Sequence, residues 1–172
     1  FIPQRPAMRA MNETNDTAAA DRANRFPWPP VLLGMAVAAA LALGHWAPLA
    51  WPGLDDGPGR FVGMTIGIIG LALIAGAVVT LRSHETTLMP DKAATTLVTS
   101  GPYRFFRNPI YLGEVMAMFG LAELTKNIWF VVAAAAFALA VTVLQIMPEE
   151  RHLEARFGED YRDYKQRARR WI

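Results

Sequence analysis

The chain has 172 residues, of which 53% are hydrophobic, and 17 lysines and arginines against 15 acidic residues leave a net charge of +2. The apolar residues are gathered into long runs, and that pattern is typical of a membrane protein. The absence of cysteine excludes disulfides, a thiolate nucleophile and a cysteine-ligated zinc site in this chain. We also expect neither a metal centre nor a nucleic-acid partner.

The first half of the chain predicts a tail followed by two membrane spans. Residues 1–30 are predicted to form a flexible tail, because residues 1–24 are polar and lack apolar periodicity. Two runs of 21 residues, 31–51 and 61–81, each match the roughly 20 residues that a bilayer core requires. The second run is rich in glycine, which predicts close packing against a neighbouring helix. These glycines are Gly63, Gly67, Gly70 and Gly76.

The second half predicts two more spans. Residues 82–108 form a polar stretch of 27 residues, which is long for an idle connection and is therefore expected to be functional. The apolar run 109–124 has only 16 residues, so a complete crossing stays open, whereas 128–147 is a full span of 20. Pro148 predicts that this last span ends or bends there, before a separate helix over 148–172.

The C-terminal helix has an amphipathic pattern. Apolar or aromatic residues recur mostly three or four apart with charges between them, which predicts a helix lying against the membrane surface. Gly158 is expected to break it into two pieces. The apolar stripe consists of Leu153, Phe157, Tyr161, Tyr164 and Trp171.

Charge placement orients the spans. Fifteen of the lysines and arginines lie in the tail, in 82–108 or after residue 147, and four crossings would put all fifteen on one side. By the positive-inside rule that side is cytoplasmic. The prediction is an all-α integral membrane protein, with about four transmembrane helices plus a C-terminal amphipathic cytoplasmic helix, in a single domain over 31–172.

The chemistry is expected at residues 101–113, which read Gly-Pro-Tyr-Arg-Phe-Phe-Arg-Asn-Pro-Ile-Tyr-Leu-Gly. Pro109 suits a first helical position, and Arg104 and Arg107 share one face of a helical turn. Two arginines at a helix entrance would attract a carboxylate or phosphate. The alternative is a membrane-surface anchor, with arginines facing headgroups and aromatic residues forming an interfacial belt.

This stretch, preceded by Thr-Leu-Val-Thr-Ser at 96–100, resembles the core motif of the isoprenylcysteine carboxyl methyltransferase family and its phospholipid methyltransferase relatives. A second block follows in the same order near the C-terminus. It contains Glu149-Glu150, Phe157-Gly158, Tyr161, Tyr164 and Arg170-Trp171-Ile172. The resemblance covers about half of the chain and implies S-adenosylmethionine as the cofactor, although no strand precedes a glycine-rich loop as in soluble nucleotide-binding folds.

The family's cofactor-contacting positions can be carried over one residue at a time. Acidic side chains suit a ligand with an ammonium group and ribose hydroxyls, and aromatic faces attract cations. For Glu149 and Glu150 the alternative is a helix start, where acidic residues offset the helix dipole. The implied cofactor-binding residues are Thr95, Thr96, Leu97, Val98, Tyr103, Asn108, Pro109, Ile110, Tyr111, Glu149 and Glu150.

The acceptor site is predicted from three further residues. Arg107 and Glu114 are the candidate catalytic side chains. Glu114 is a candidate because a carboxylate one turn into an apolar helix is costly unless it faces a cavity or a partner. An ion pair of Glu114 with Arg104 or Arg107 is the alternative. Gln145 is the candidate substrate-binding residue, and it stands where the prenylcysteine enzyme carries a carboxylate-binding arginine. That departure, together with Asn108 in place of the motif's histidine, weighs against prenylcysteine as the substrate.

The resemblance therefore implies S-adenosylmethionine-dependent methyl transfer to a lipophilic acceptor from the bilayer, whose nucleophile is a carboxylate, an amine or a thiol. The expected location is the bacterial inner membrane, with both termini and the active site cytoplasmic. Two alternatives stay open. One is an NADPH-dependent membrane reductase of related architecture, and the other is a non-catalytic membrane scaffold.

Overall fold

A computed structural model describes residues 28–51, 57–84 and 97–172, so most of the predicted tail lies outside the described residues. Within these ranges the secondary structure is helical apart from one isolated bridge between Phe106 and Arg169. The predicted all-α fold is confirmed. The helices are α1 (Trp28–Trp46), α2 (Gly57–Ser83), α3 (Pro109–Thr125), α4 (Trp129–Val141), α5 (Met147–Phe157) and α6 (Glu159–Arg167), with a 3-10 turn at Gly101–Arg104.

Three segments among the described residues are long and apolar enough to cross a membrane. They are Pro29–Trp46, Gly57–Ser83 and Trp129–Phe157. Helix α3 has 17 residues and is shorter than these three, so the structure does not confirm the predicted count of four crossings. The chain is an integral membrane protein by the length and composition of its helices.

The prediction that the last span ends or bends at Pro148 is wrong about the ending. The helical run continues from Trp129 to Phe157 through a π-helical segment at Thr142–Ile146. There the N–H of Met147 donates to the carbonyl of Thr142, five residues back. Proline has no N–H to donate and its ring crowds the preceding turn. The wider π-turn lies immediately before Pro148, where that crowding would otherwise break the helix.

Glycines let α2 and α3 approach closely, as the sequence predicts. A Cβ added at Gly67 would lie 2.8 Å from the Cα of Gly120, and one added at Gly70 would lie 2.6 Å from the carbonyl oxygen of Gly113. No side chain fits at these distances. The α2–α3 pair is therefore a backbone-to-backbone contact of the kind that small residues permit between apolar helices.

The main core joins α1, α3 and α4. Ala40 of α1, Met118 of α3 and Phe137 of α4 belong to one buried cluster, which also contains Ile146 of the π-segment. Trp171 packs against this cluster, and its indole Nε1 donates to the hydroxyl of Thr142 at 3.3 Å. The end of the chain is therefore tied to the middle of the last span.

A second cluster buries part of the stripe that the sequence predicts on the membrane surface. Tyr161, Tyr164 and Ala168 are buried together, and Leu97, Leu153 and Phe157 pack on them. Two residues of the stripe, Tyr161 and Tyr164, thus face the protein's own interior beside the loop before α3, whereas Leu153 and Phe157 are half-buried. The predicted break at Gly158 is confirmed, since this residue has φ +54° between α5 and α6.

Candidate active site

The loop before α3, the start of α5 and the C-terminal residues meet at one end of the bundle. The N–H of Arg107 donates to the carbonyl of Arg169 at 2.7 Å, and the N–H of Arg169 donates to the carbonyl of Phe105 at 2.9 Å. The hydroxyl of Tyr164 donates to the carbonyl of Tyr103 at 2.7 Å. The two sequence blocks are therefore in direct contact, although about 60 residues separate them along the chain.

Helix α3 begins at Pro109, as predicted, and its first turn is open. Asn108 stands at the N-cap position, but its side chain makes no capping hydrogen bond. Its amide Nδ2 instead donates to the carbonyl of Arg170 at 3.1 Å. The backbone N–H groups of Ile110 and Tyr111 thus begin the helix without a side-chain cap, which is where an anionic ligand group binds well.

Glu150 forms ion pairs with both Arg107 and Arg170 at this end. The Arg107 Nη2 atom lies 3.1 Å from Glu150 Oε1, and Arg170 Nη2 lies 2.6 Å from Glu150 Oε2. The hydrogen bond to Glu150 raises the pKa of Arg170. The sequence assigned Glu150 to the cofactor and Arg107 to catalysis, and the structure occupies both side chains with each other.

Glu149 lies beside a tyrosine pair and Gln145. The Gln145 amide, which is buried, donates to the Glu149 carboxylate at 3.4 Å, a long hydrogen bond. Burial raises the pKa of Tyr103, with smaller contributions from the carboxylate of Glu149 and from Tyr164. Tyr111 lies within electrostatic range of Glu149 and Glu114. These polar and aromatic groups form one neighbourhood at the entrance of α3.

Glu114 is one turn inside that entrance. Its Oε2 atom is buried and has no hydrogen-bond partner in the described part of the chain. The predicted alternative, an ion pair with Arg104 or Arg107, is wrong, because Arg107 pairs with Glu150 and Arg104 lies over the ring of Phe105, 5.8 Å from its centroid. A buried carboxylate oxygen without a donor is costly unless a ligand supplies one.

The other predicted residues are placed as follows. Leu97 packs on the cluster of Tyr161 and Tyr164, and Val98 is buried. Thr95 and Thr96 lie outside the described residues. No group of three or more histidine, aspartate or glutamate side chains in the described ranges is placed to hold a metal ion.

Sequence reasoning gave no individual role to Arg170 and Tyr164. Both are polar contacts between the C-terminal block and the loop before α3. The available signal was their membership of the second sequence block. Their partners could not be found from spacing alone, because Arg170 and Glu150 are 20 residues apart and belong to different elements.

These features define an α-helical membrane protein with a polar site at the ends of its helices. A profile of the phospholipid methyltransferase family matches residues 59–160, and the chain belongs to that family. The match covers α2 through α5, including the α3 entrance and both glutamates. The resemblance stated from the two sequence blocks is thereby confirmed.

Two named relatives are metal-resistance proteins. The chain is 31% identical over 133 residues to the cobalt-zinc-cadmium resistance protein CzcN of Cupriavidus metallidurans, covering 77% of this chain and 56% of the relative. It is 28% identical over 105 residues to the nickel-cobalt-cadmium resistance protein NccN of Alcaligenes xylosoxydans xylosoxydans, covering 61% and 47%. The chain spans about half the length of these relatives. No solved structure matches it.

Proposed function

We propose that the chain transfers a methyl group from S-adenosylmethionine to a lipophilic acceptor that reaches the site from the bilayer. The observation that carries this proposal is the meeting of the two family blocks at the uncapped start of α3. Family membership supports the reaction class, and the three span-capable helices support an acceptor dissolved in the membrane.

The residues at this end fit the cofactor by chemistry. Glu149 offers an acceptor for an ammonium group or ribose hydroxyls, and its long hydrogen bond to Gln145 leaves it capacity for a ligand. The first-turn N–H groups of Ile110 and Tyr111 suit the cofactor's carboxylate. The rings of Tyr103 and Tyr111 suit a cation. We assign Leu97, Val98, Asn108 and Pro109 to the walls and backbone of the same site.

The bound cofactor would supply an activated methyl group on a sulfonium, and transfer requires a nucleophile in line with it. The protein's main contribution is then orientation and exclusion of water. Glu114 is the group we assign to the acceptor, since its unpartnered Oε2 can accept a proton or a hydrogen bond from an incoming amine or thiol. A carboxylate acceptor would arrive ionised and would be repelled by a charged Glu114.

Orientation follows from the charge pattern. The polar site end carries Arg82, Arg104, Arg107 and the basic residues of α5 and α6, whereas the described loop after α3 carries only Lys126. We propose that the site end faces the cytoplasm of a bacterial inner membrane, where the cofactor is available.

Ligand binding tests the function. Detergent-solubilised protein is titrated with S-adenosylhomocysteine and, separately, with NADPH, while thermal unfolding is followed. S-adenosylhomocysteine should stabilise the protein by about 2.7 kcal/mol at a hundredfold excess over its dissociation constant, and NADPH should have no effect. Stabilisation by NADPH alone would favour a membrane reductase. No stabilisation by either ligand would contradict the proposal and favour a scaffold.

A further inference from the structure

The last 14 residues, α6 with the short tail after it, cover the loop before α3. We call residues 159–172 the C-terminal clamp. Its contacts with the loop combine backbone and side-chain hydrogen bonds and involve Tyr103 and Asn108, which belong to the proposed cofactor site. The clamp therefore holds the backbone that presents the start of α3.

Glu150 is the hub of these contacts. Its carboxylate accepts from Arg107 Nε at 3.2 Å, from Arg170 Nε at 3.0 Å and from Arg170 Nη2 at 2.6 Å. The side chain is only 9% exposed. One carboxylate thus joins three separate pieces of the chain, namely α5, the loop before α3 and the clamp, through charge-assisted hydrogen bonds, which are the strong class.

Arg107 extends this connection into the clamp. Its Nη1 atom donates to the carbonyls of Lys165 at 3.0 Å and Ala168 at 3.1 Å, at the end of α6. If Glu150 lost its charge, Arg107 and Arg170 would face each other without the anion between them. The guanidinium groups would then repel each other across the junction of clamp and loop.

We propose that Glu150 is a positioning residue, which acts through Arg107 and Arg170 to keep the clamp closed on the entrance of α3. Its two oxygens are taken up by arginines, so it holds the site in shape while Glu149 faces the ligand. This inference rests on the proposed function for its catalytic consequence, and on the contacts alone for the closure of the clamp. It replaces the sequence-based roles of Glu150 as a cofactor ligand and of Arg107 as a catalytic residue.

A matched control lies one turn further along α5. Glu154 also pairs with two cations, Lys165 at 2.9 Å and Arg162 at 3.5 Å, and both partners belong to the clamp. Its side chain is 37% exposed, and neither partner contacts the loop before α3 through it. Glu150→Gln and Glu154→Gln therefore remove the same charge from the same helix, and only the first should open the clamp.

Closure can be read by cysteine labelling, because the chain contains no cysteine. Ala168 is buried at 2% exposure, so an Ala168→Cys variant reports opening, and the exposed Ala155→Cys serves as the accessible reference. Glu150→Gln should speed thiol labelling at position 168 by about tenfold or more, whereas Glu154→Gln should stay within about fivefold of the parent. Equal labelling rates in the two variants would contradict the proposal that Glu150 keeps the clamp closed.

Kinetics separate positioning from mere stability. Among folded molecules, Glu150→Gln should raise the KM for S-adenosylmethionine by about tenfold or more, and Glu150→Asp, which keeps the charge, should restore part of it. A loss confined to melting temperature, with the KM unchanged, would overturn the positioning role. If the wild-type protein did not bind S-adenosylhomocysteine, the proposed function and the positioning role would both fail, while labelling would still decide whether Glu150 closes the clamp.

Discussion

Two glutamates on α3 point to a difference between the ends of the bundle. Glu123, near the end of the helix, is 5% exposed and forms an ion pair with Lys126, whose ammonium group also lies 5.4 Å from the ring centroid of Trp51. Glu114, near the start, has a buried oxygen with no partner among the described residues. The satisfied carboxylate fixes structure, and the unsatisfied one is available to a ligand.

The surroundings of Glu123 have more hydrogen bonds between elements than those of Glu114, although the indole Nε1 of Trp51 beside Lys126 is buried without a partner among the described residues. Beside Lys126, the Asn127 amide donates to the carbonyl of Ala40 at 2.8 Å, and the Trp129 indole donates to the carbonyl of Ala47 at 2.8 Å. A Cβ at Gly44 would lie 2.1 Å from that Asn127 amide nitrogen, so α1 and the loop after α3 are tightly fitted. At the site end, by contrast, the first turn of α3 lacks a side-chain cap. Polar groups left open here cost stability, which is common where a protein binds its ligand.

The sharpest way to break this comparison is to neutralise Glu114. Glu114→Gln should lower turnover by about a hundredfold or more if the group removes a proton from an amine or thiol, because general bases contribute about 10²–10⁴-fold. S-adenosylhomocysteine affinity should be unchanged, and thermal stability should hold or rise, since a buried unpaired charge is removed. Methylation of a bacterial lipid extract with labelled S-adenosylmethionine measures the rate. An unchanged rate would indicate an acceptor that arrives ionised.

Glu149→Ala sharpens the comparison on the cofactor side. Loss of a charge-assisted contact costs about 1.5–3 kcal/mol. The affinity for S-adenosylhomocysteine should therefore fall by a factor between about ten and somewhat more than a hundred. The effect should be the same whatever acceptor is offered, because the proposed contact is to the cofactor. Calorimetric titration of the solubilised protein measures it. Glu154→Ala on the same helix is the control, and an equal loss of affinity in that variant would contradict a direct contact by Glu149.

Glu123→Gln should show the opposite profile. It replaces the ion pair with Lys126 by a weaker hydrogen bond. Hydrogen bonds to charged groups contribute about 1.5–3 kcal/mol, and the lower value is expected because Lys126 is one-third exposed and can turn to water. The melting temperature should fall, while turnover per folded molecule stays near that of the wild type. A variant that kept its stability and lost its turnover would place chemistry at the wrong end of α3.

Several of these features could be predicted from local sequence, and others could not. The start of α3 at Pro109, the close packing at Gly67 and the break at Gly158 follow from the backbone chemistry of proline and glycine. The continuation of the helix through Pro148 depends on a π-turn upstream, which is a change in the backbone hydrogen-bond pattern that the preferences of single residues do not predict.

Contacts between residues far apart in the sequence were the main feature that could not be predicted. The amphipathic stripe of the C-terminal helix is real, but periodicity does not say whether protein or lipid covers it, and Tyr161 proved to be buried by the loop before α3. Likewise, the Glu149–Glu150 pair was recognisable as a motif, but the sequence did not indicate that the two glutamates have different partners. Only the fold places two arginines, 43 and 20 residues away, around Glu150.

The variant with the smallest expected effect tests what distinguishes Glu114 from Glu123. The distinction is expected to come from whether a polar group has a hydrogen-bond partner, and not from which end of the bundle it occupies. Tyr164 lies at the site end but is satisfied, since its hydroxyl donates to the carbonyl of Tyr103 at 2.7 Å. Tyr164→Phe should therefore resemble Glu123→Gln and cost about 0.5–1.5 kcal/mol of stability, because one hydrogen bond is lost and the ring still packs. Turnover per folded molecule should change little, since the other contacts of the clamp remain.

The pH dependence of stability supplies the signature of that hydroxyl. Burial raises the pKa of Tyr164 to about 12, from the ordinary value of 10.0, with Arg107 opposing the shift. A phenol whose folded pKa is raised contributes stability that is fully present below pH 10 and is lost as the pH rises toward 12. Melting temperatures measured between these values should fall more steeply for the wild type than for Tyr164→Phe, because the variant has no hydroxyl to ionise. Parallel slopes would mean that the Tyr164 hydroxyl is not the group that couples the clamp to pH, and a loss of turnover at neutral pH would place Tyr164 among the residues of the site itself.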